Sequence, residues 1–175
     1  MEFSRAIKSM LTASGLKGVD LRWISEFEIA RPYQQLLSHD RDMTSTLAEF
    51  HGGEVQLQVL QEYEVADLYM REVILSVGEK PVEYGLIEIH LQNFPDDLRK
   101  RITEKGEPLG NILNTSGLPY KSTPESFLSI KSDDFSPDFF PPTGGESLFG
   151  RYNQLTNADD RVLARILEIL PREQS

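Results

Sequence analysis

Alternation between apolar and polar residues is clearest in the middle of the chain. Over residues 54–65 every second position is apolar, apart from an interruption at 60–61, and over residues 68–77 one of the two alternating rows is apolar apart from Arg71. Residues 82–91 form a third such segment after a turn-forming sequence at 78–81. Because successive side chains on a strand point to opposite faces, these segments predict three strands. Their short links predict an antiparallel meander.

Arg71 lies at the centre of the second segment. The other residues of its row on the predicted strand are Tyr69, Val73, Leu75 and Val77. A guanidinium in such a row is buried or lines a pocket, and burial requires an anionic partner. In one interpretation Arg71 pairs with a structural acid or reaches solvent from a sheet edge. In the other it binds a ligand carboxylate, which suits its planar, permanently charged group.

Helical periodicity precedes the predicted sheet. Residues 2–13 place their apolar side chains roughly on one face and predict a short helix, and residues 31–38 predict a second helical segment. Asp42 is a candidate N-cap for a helix over residues 43–50, and the glycines at 52–53 are expected to end it.

The segments after the meander are more irregular. Residues 95–105 predict a helix with proline in its first turn, and 108–114 predict a short helix. Residues 127–130 predict a strand. Residues 132–146 are rich in Pro, Gly, Asp and Ser and predict a loop that packs down as a lid or plug. The aromatic residues of this loop are Phe135, Phe139 and Phe140.

Residues 161–170 fit two periodicities. As a helix, the segment places its apolar side chains in one stripe, and periodicity alone slightly favours this interpretation. As a strand, it places Glu168 in an otherwise apolar row, as the strand over 68–77 does for Arg71.

Composition narrows the class of protein. The chain has 175 residues, 39% apolar and 26% charged, which suggests one soluble domain over 1–175 with a helical segment in residues 1–35. The net charge of -10 argues against nucleic acid or an anionic membrane as the partner, although a local cationic pocket for a small anion remains possible. No signal-peptide pattern or membrane-spanning run is found, so the expected compartment is the cytoplasm.

Several kinds of chemistry are excluded or disfavoured by residue type. The absence of cysteine excludes disulfides, thiolate zinc sites and cysteine nucleophiles. The three histidines, His39, His51 and His90, lack metal-ligand spacing, so no metal site is expected. Nucleotide-binding glycine motifs and a GxSxG nucleophile motif are also absent.

Four short segments in a fixed order resemble the chorismate pyruvate-lyases, in particular a bacterial and archaeal branch of that family. Residues 36–44 resemble the start of a helix in that family. Residues 69–81 resemble its arginine strand and the following turn. Residues 107–110 resemble its Pro-Leu-Gly segment, and 167–171 its C-terminal glutamate strand. The order and spacing hold from about residue 36 to 171, which is most of the chain.

The resemblance implies an α+β fold, in which a single antiparallel sheet of about six strands carries helices and encloses an internal ligand pocket. It assigns the C-terminal segment to a strand, against the preference from periodicity. It also implies conversion of chorismate to 4-hydroxybenzoate and pyruvate without a metal or an organic cofactor.

The family's site residues carry over to five positions. Arg71 corresponds to the arginine that holds the ring carboxylate, and Glu168 to the glutamate that meets the ring oxygen. Main-chain groups at Met43 and in the Leu109-Gly110 segment complete the pocket. A buried Glu168 is expected to have a raised pKa and to donate a hydrogen bond or proton to the ether oxygen of chorismate.

The chain departs from the better-known lyases at one position. Leu86 stands near the place of a second arginine, and Arg151 or Lys80 is a candidate to supply the missing charge. The sequence is therefore compatible with three hypotheses: a chorismate lyase acting through Arg71 and Glu168; a non-catalytic domain that binds or senses small aromatic carboxylates; and a structural pair in which the arginine and the glutamate only neutralise each other.

Overall fold

The computed structural model describes residues 2–16, 19–131, 140 and 145–173. Within these residues the protein has an α+β architecture, with one antiparallel sheet of seven strands and five α-helices. The strands are β1 (Leu21–Ile24), β2 (Val55–Val65), β3 (Leu68–Val77), β4 (Lys80–His90), β5 (Tyr120–Lys131), β6 (Ser147–Asn157) and β7 (Val162–Leu170). The helices are α1 (Arg5–Ala13), α2 (Tyr33–Leu37), α3 (Met43–His51), α4 (Asp96–Thr103) and α5 (Leu109–Ser116).

The sheet consists of two meanders that join at its centre. The strand order is β1-β5-β6-β7-β4-β3-β2, so β2-β3-β4 and β5-β6-β7 meet where β4 pairs with β7. The predicted meander over β2, β3 and β4 is confirmed. The break in alternation near Leu60 is a bulge, because the register of β2 against β3 shifts between Val59 and Gln61.

The C-terminal segment forms a strand, so the preference for a helix from periodicity alone was wrong. β7 pairs with β4 on one side and with β6 on the other. Nearly all of its side chains are buried on both faces of the sheet. A strand that is apolar on both faces has no period of two, and its continuous apolar run also satisfies a helical stripe.

Two strands were not predicted. With β1 and β6 the five strands predicted from individual segments become seven, where the resemblance implied about six, and β5 is much longer than the predicted segment at 127–130. β6 contains Gly150, Arg151 and Asn153 and therefore has little strand propensity of its own. A side chain at Gly150 would clash with the main chain of Glu168 on β7, so the glycine permits this pairing.

The helix boundaries follow the predicted caps. The Asp42 side chain accepts a hydrogen bond from the Ser45 main-chain N–H at 2.7 Å, and Gly52 ends α3 with a φ of 68°. Pro95 directly precedes α4, and Pro108 directly precedes α5. None of the helices in the described residues has both the length and the apolar character needed to cross a bilayer.

The two faces of the sheet are covered by different helices. On one face α1 packs on a core that includes Tyr84 and Leu86, and Phe140 is buried in the same cluster. The predicted loop residues Phe135 and Phe139 lie outside the described residues. The other face packs against α2, α3, α4 and α5. This second face carries the odd-numbered row of β3, to which Arg71 belongs, and it holds the candidate site.

Candidate functional site

A narrow cavity lies between the second face of the sheet and the first turns of α3 and α5. The volume that the centre of a water molecule can occupy in it is about 40 Å³. Apolar walls with a few polar groups are typical of small-molecule sites. The apolar residues are Met43, Leu57, Val73, Leu75, Ile87, Pro108, Leu109, Leu155 and Ile166. The remaining lining residues are Asp42, Thr44, Arg71, Glu83, Gly110, Asn153 and Glu168.

Five of the six site residues suggested by the sequence meet in this cavity. Arg71 comes from β3 and Glu168 from β7, while Met43 begins α3 and Leu109-Gly110 begins α5. These residues are separated by as many as 125 positions in the chain, between Met43 and Glu168. Their convergence shows that the ordered motifs describe one place in the fold.

Arg71 is fully buried but incompletely hydrogen-bonded. Its side chain has 0% exposure. Nη1 donates to the Ile102 carbonyl at 3.5 Å, the outer limit for a hydrogen bond. Nε and Nη2 have no hydrogen-bond partner among the described residues. Burial lowers the pKa of Arg71, and the neighbouring Tyr69 hydroxyl and Glu62 offset part of that effect. A guanidinium nevertheless stays charged in a protein, so this group requires an anion.

The carboxylate opposite Arg71 on the neighbouring strand has other partners. Glu62 lies opposite Arg71 on β2, where it accepts a hydrogen bond from the Tyr69 hydroxyl at 2.7 Å and forms a 2.6 Å ion pair with Lys105. Its side chain is 39% exposed, so solvent also screens its charge. Glu62 therefore does not replace an anion inside the cavity.

Arg151 has the opposite environment. It is also fully buried, and its Nε donates to Glu168 in a close ion pair. Nη1 donates to the carbonyls of Leu37 at 3.2 Å and His39 at 2.9 Å, and Nη2 donates to the Arg41 carbonyl at 3.3 Å. Every guanidinium nitrogen is thus engaged, and Arg151 is outside the set of described residues that line the cavity.

The hypothesis that Arg71 and Glu168 neutralise each other is not what the structure shows. Glu168 pairs with Arg151, and both Arg71 and Glu168 line the cavity. Lys80, the other candidate for a second positive charge, forms an ion pair with Glu173 at 2.6 Å and is 48% exposed. Within the described residues, neither candidate supplies a free cation to the cavity.

Leu86 lies on the opposite face of the sheet from the cavity. It is fully buried in the core under α1, while Gly85 and Ile87 flank it on β4. Ile87 lines the cavity, and the space in front of Gly85 is bounded by Val73 and Glu83. An arginine at Leu86 in this fold would not point into the cavity.

Glu83 is the functional candidate that the sequence reasoning missed. It lies on β4, lines the cavity with 3% exposure, and its Oε2 has no hydrogen-bond partner among the described residues. The sequence contained a signal for this residue, because the row of Glu83 continues through Ile87 and Ile89. Glu83 is thus a charged residue in an otherwise apolar row, like Arg71. The register of β4 against β3 shifts between Leu75 and Ser76, which moves the alternation of β4 by one position. This shift obscured the signal at Glu83.

The two buried carboxyl groups influence each other. Burial, and then the charge of Glu168, raises the pKa of Glu83 well above its ordinary value. Burial also raises the pKa of Glu168, but contact with Arg151 opposes that effect. Because Arg151 touches Glu168 directly, Glu168 is the carboxyl that ionises first and Glu83 is the one that keeps its proton.

Two helix N-termini meet at the cavity. A Cβ at Gly110 would lie 2.6 Å from Thr44 Oγ1 and 2.7 Å from Asp42 Oδ1, so the glycine allows α5 to approach the start of α3. Asn114 of α5 donates to Asp42 Oδ2 at 2.9 Å and to Ser45 Oγ at 3.0 Å, which ties the two helices together. The first N–H groups of a helix lack partners within the helix and carry partial positive charge, so both helix starts favour an anion nearby.

The site has a cationic end and an acidic end with apolar walls between them. Arg71 is opposite Ile87 on β4, and Glu83 lies four residues before Ile87, which corresponds to roughly 13 Å along the strand. This arrangement suits a small organic acid with an apolar body. Among the described residues, no group of three or more His, Asp or Glu side chains is placed to hold a metal ion.

Comparison with known proteins identifies the fold. No family model and no curated protein matches the chain. Among solved structures, the effector domain of PhnF from Mycobacterium smegmatis is similar with a TM-score of 0.56 and 12% identity, over 75% of this chain and 88% of that one. A GntR-family transcriptional regulator from Bacillus cereus is similar with a TM-score of 0.50 and 16% identity, over 70% of this chain and 95% of that one.

The chain therefore has the fold of GntR-family effector domains, a fold that resembles that of chorismate lyase. At these identities the likeness describes the arrangement of strands and helices. It does not by itself assign a role to the residues of the cavity.

Proposed function

We propose that this chain is a binding domain for a small organic acid, whose carboxylate is held by Arg71 inside the cavity. The observation that carries the proposal is that Arg71 is fully buried and lines the cavity, while its Nε and Nη2 have no hydrogen-bond partner among the described residues. Buried charges in proteins are normally paired and hydrogen-bonded. A ligand carboxylate would supply the negative charge and the hydrogen-bond acceptors that the described residues do not provide to Arg71.

The rest of the cavity accounts for the other parts of such a ligand. The apolar walls cover a flat or compact hydrocarbon body. Glu83 and Glu168 meet the far end of the ligand and favour a polar group there. The resemblance to chorismate lyases makes 4-hydroxybenzoate the first compound to test.

The likeness to effector domains of transcriptional regulators supports binding without turnover. The solved structures of this fold include the effector domain of PhnF and a GntR-family regulator. A domain of this kind needs a pocket for a small molecule and needs no catalytic group. The cavity between the sheet and the helices α3 and α5 meets that requirement.

Calorimetric titration with 4-hydroxybenzoate and benzoate tests the proposal on three proteins. Wild type and the exposed-surface control Arg161→Met are expected to bind both compounds, while Arg71→Met is expected to bind neither. Methionine keeps an apolar side chain of similar length, so the loss would report the missing charge. Equal affinity of wild type and Arg71→Met, with all three proteins folded, would contradict the proposal.

A second candidate function is a chorismate lyase, favoured by the two buried carboxyl groups at the far end of the cavity from Arg71. Chorismate loses its enolpyruvyl group when a ring carbon–oxygen bond breaks, and the ring becomes aromatic as it loses a proton. Arg71 would orient the ring through its carboxylate, and a protonated carboxyl would donate to the departing ether oxygen.

Incubation with chorismate separates the two functions. Chromatography would follow the appearance of 4-hydroxybenzoate over time, with Glu83→Gln as the comparison. A rate above the uncatalysed reaction that falls in Glu83→Gln selects the lyase. No product above background, from protein that still binds 4-hydroxybenzoate, selects the binding domain.

A further inference from the structure

The acidic end of the cavity holds two carboxyl groups and one arginine. Glu168 on β7 pairs with Gly85 on β4, and Glu83 lies two residues before Gly85 on the same side of the sheet. The two glutamates are therefore diagonal neighbours on adjacent strands, close enough for their charges to interact. Arg151 forms its ion pair with Glu168. Glu83 has no such partner among the described residues, and its Oε2 is buried without a hydrogen bond.

The other charged groups that face Glu83 do not compensate it. Arg151 directs its remaining donors to three main-chain carbonyls. Asp42 at the start of α3 adds a further negative charge, already engaged as the helix cap and by Asn114. Arg71, the one basic residue of the described lining, lies at the opposite end. An ionised Glu83 would be a second buried anion beside one arginine, which is costly.

We propose that Glu83 remains a neutral carboxylic acid in the cavity and makes the site select monoanions whose far end carries an uncharged hydrogen-bonding group. The inference rests on the proposed function, because it assumes that Arg71 holds the ligand carboxylate. The direction of the pKa shift of Glu83, raised by burial and by Glu168, agrees with it.

A neutral Glu83 beside an ionised Glu168 forms a specific recognition element. The protonated carboxyl can donate one hydrogen bond, and the carboxylate can accept one. A hydroxyl group both donates and accepts, so it can bind to the two side chains at once. A hydrogen atom at the same position of the ligand leaves Oε2 of Glu83 unpartnered, and hydrogen-bond recognition of this kind discriminates strongly against the analogue that lacks the group.

A second carboxylate at this end would be repelled. It would face the carboxylate of Glu168 and the charge of Asp42, and each guanidinium nitrogen of Arg151 already has a partner. The cavity thus accepts one negative charge, opposite Arg71, and rejects another. Chorismate carries two carboxylates, whereas 4-hydroxybenzoate carries one, so this selection favours the binding domain over the lyase.

Titration of three benzene derivatives at pH 7 tests the selection. Benzoate, 4-hydroxybenzoate and benzene-1,4-dicarboxylate share the ring and one carboxylate and differ only at the far end. Wild type is expected to bind 4-hydroxybenzoate about tenfold tighter than benzoate, and the dicarboxylate at least tenfold weaker than benzoate. Glu83→Gln, which is neutral and still donates, is expected to keep this order. Glu83→Ala is expected to lose most of the preference for the hydroxyl.

Infrared difference spectra test the protonation state directly. The spectrum of wild type minus Glu83→Gln at pH 7 is expected to contain the carbonyl band of a protonated carboxyl group. The control difference, wild type minus Glu79→Gln at the exposed turn before β4, is expected to contain carboxylate bands only. Carboxylate bands in the Glu83 difference would overturn the inference.

The outcomes separate this inference from the function on which it rests. If benzoate binds to wild type and not to Arg71→Met, but the dicarboxylate binds as tightly as 4-hydroxybenzoate, the selection by Glu83 is refuted and the binding function stands. If no acid binds to wild type, or if binding persists in Arg71→Met, the proposed function fails and the inference fails with it.

Discussion

Two arginines on the same face of the sheet have the same burial and opposite surroundings. Arg71 and Arg151 are both 0% exposed, one on β3 and the other on β6. Arg151 contacts a carboxylate and three main-chain carbonyls, whereas Arg71 has one hydrogen bond at 3.5 Å and two unpartnered nitrogens within the described residues. Burial alone therefore does not separate a structural arginine from one that binds a ligand.

The difference lies in what each guanidinium connects. Arg151 joins Glu168 to the loop between α2 and α3, and that loop leads into Asp42 and Met43 at the cavity. Because all its guanidinium nitrogens have partners, Arg151 has a structural role and holds the elements around the site together. Arg71 faces a cavity and lacks partners for its fork, which leaves it free for a carboxylate. The number of satisfied donors is the property that distinguishes the two.

The largest effect on stability is expected from breaking the ion pair between Arg151 and Glu168. Arg151→Met leaves Glu168 as an uncompensated buried charge and should lower the free energy of unfolding by about 3–5 kcal/mol. Urea denaturation followed by circular dichroism measures the change. The double variant Arg151→Met/Glu168→Leu should recover a large part of the loss, since no charge is then stranded. A loss below about 1 kcal/mol in the single variant would show that the pair is not structural.

The matching change at Arg71 should affect binding and spare the fold. Arg71→Met is expected to lose at least about 2–5 kcal/mol of ligand binding energy. Without ligand, its melting temperature should equal or exceed that of wild type, because the variant no longer buries an unpaired charge. A large drop in melting temperature, with ligand binding of the folded fraction unchanged, would instead place Arg71 in the framework beside Arg151.

An intermediate effect is expected where the two helix starts meet. In Gly110→Ala the new Cβ would lie 2.6 Å from Thr44 Oγ1, so α5 must move away from α3 at a cost of about 1–3 kcal/mol. Ligand affinity should fall as well, because both helix starts line the cavity. Gly106→Ala is the control, since its Cβ would meet nothing within 4 Å. Equal stability and affinity of the two variants would show that the close approach is unimportant.

The smallest effect is the change in stability per pH unit that the proton on Glu83 causes. Its pKa in the folded protein is raised above the ordinary 4.5, so the folded state holds a proton that the unfolded state has released. The contribution of Glu83 to the free energy of unfolding is then fully present below about pH 4.5. It declines as pH rises towards the pKa of Glu83 in the folded protein, by roughly 1 kcal/mol per pH unit. Thermal melts between pH 5 and 8 should show Glu83→Gln gaining on wild type as pH rises. A constant difference would mean that Glu83 is ionised throughout.

Much of the fold follows from local patterns. Alternation placed the meander of β2, β3 and β4, an acid before a helix marked the Asp42 cap, and a glycine marked the end of α3. The row containing Arg71 identified a charged group that must be buried before any partner was known. The ordered motifs assigned β7 where periodicity alone preferred a helix. Apart from the assignment of β7, each of these features depends on residues close to one another in the chain.

The partners of the buried charges depended on the tertiary structure. The chain alone shows that Arg71, Arg151, Glu83 and Glu168 exist, but not that Arg151 meets Glu168 while Arg71 faces a cavity. Those relations arise because β7 lies between β4 and β6, and because α3 and α5 close over the same face. Such long-range pairing depends on the register of whole strands, and one inserted residue in β4 is enough to bring Glu83 to the cavity side.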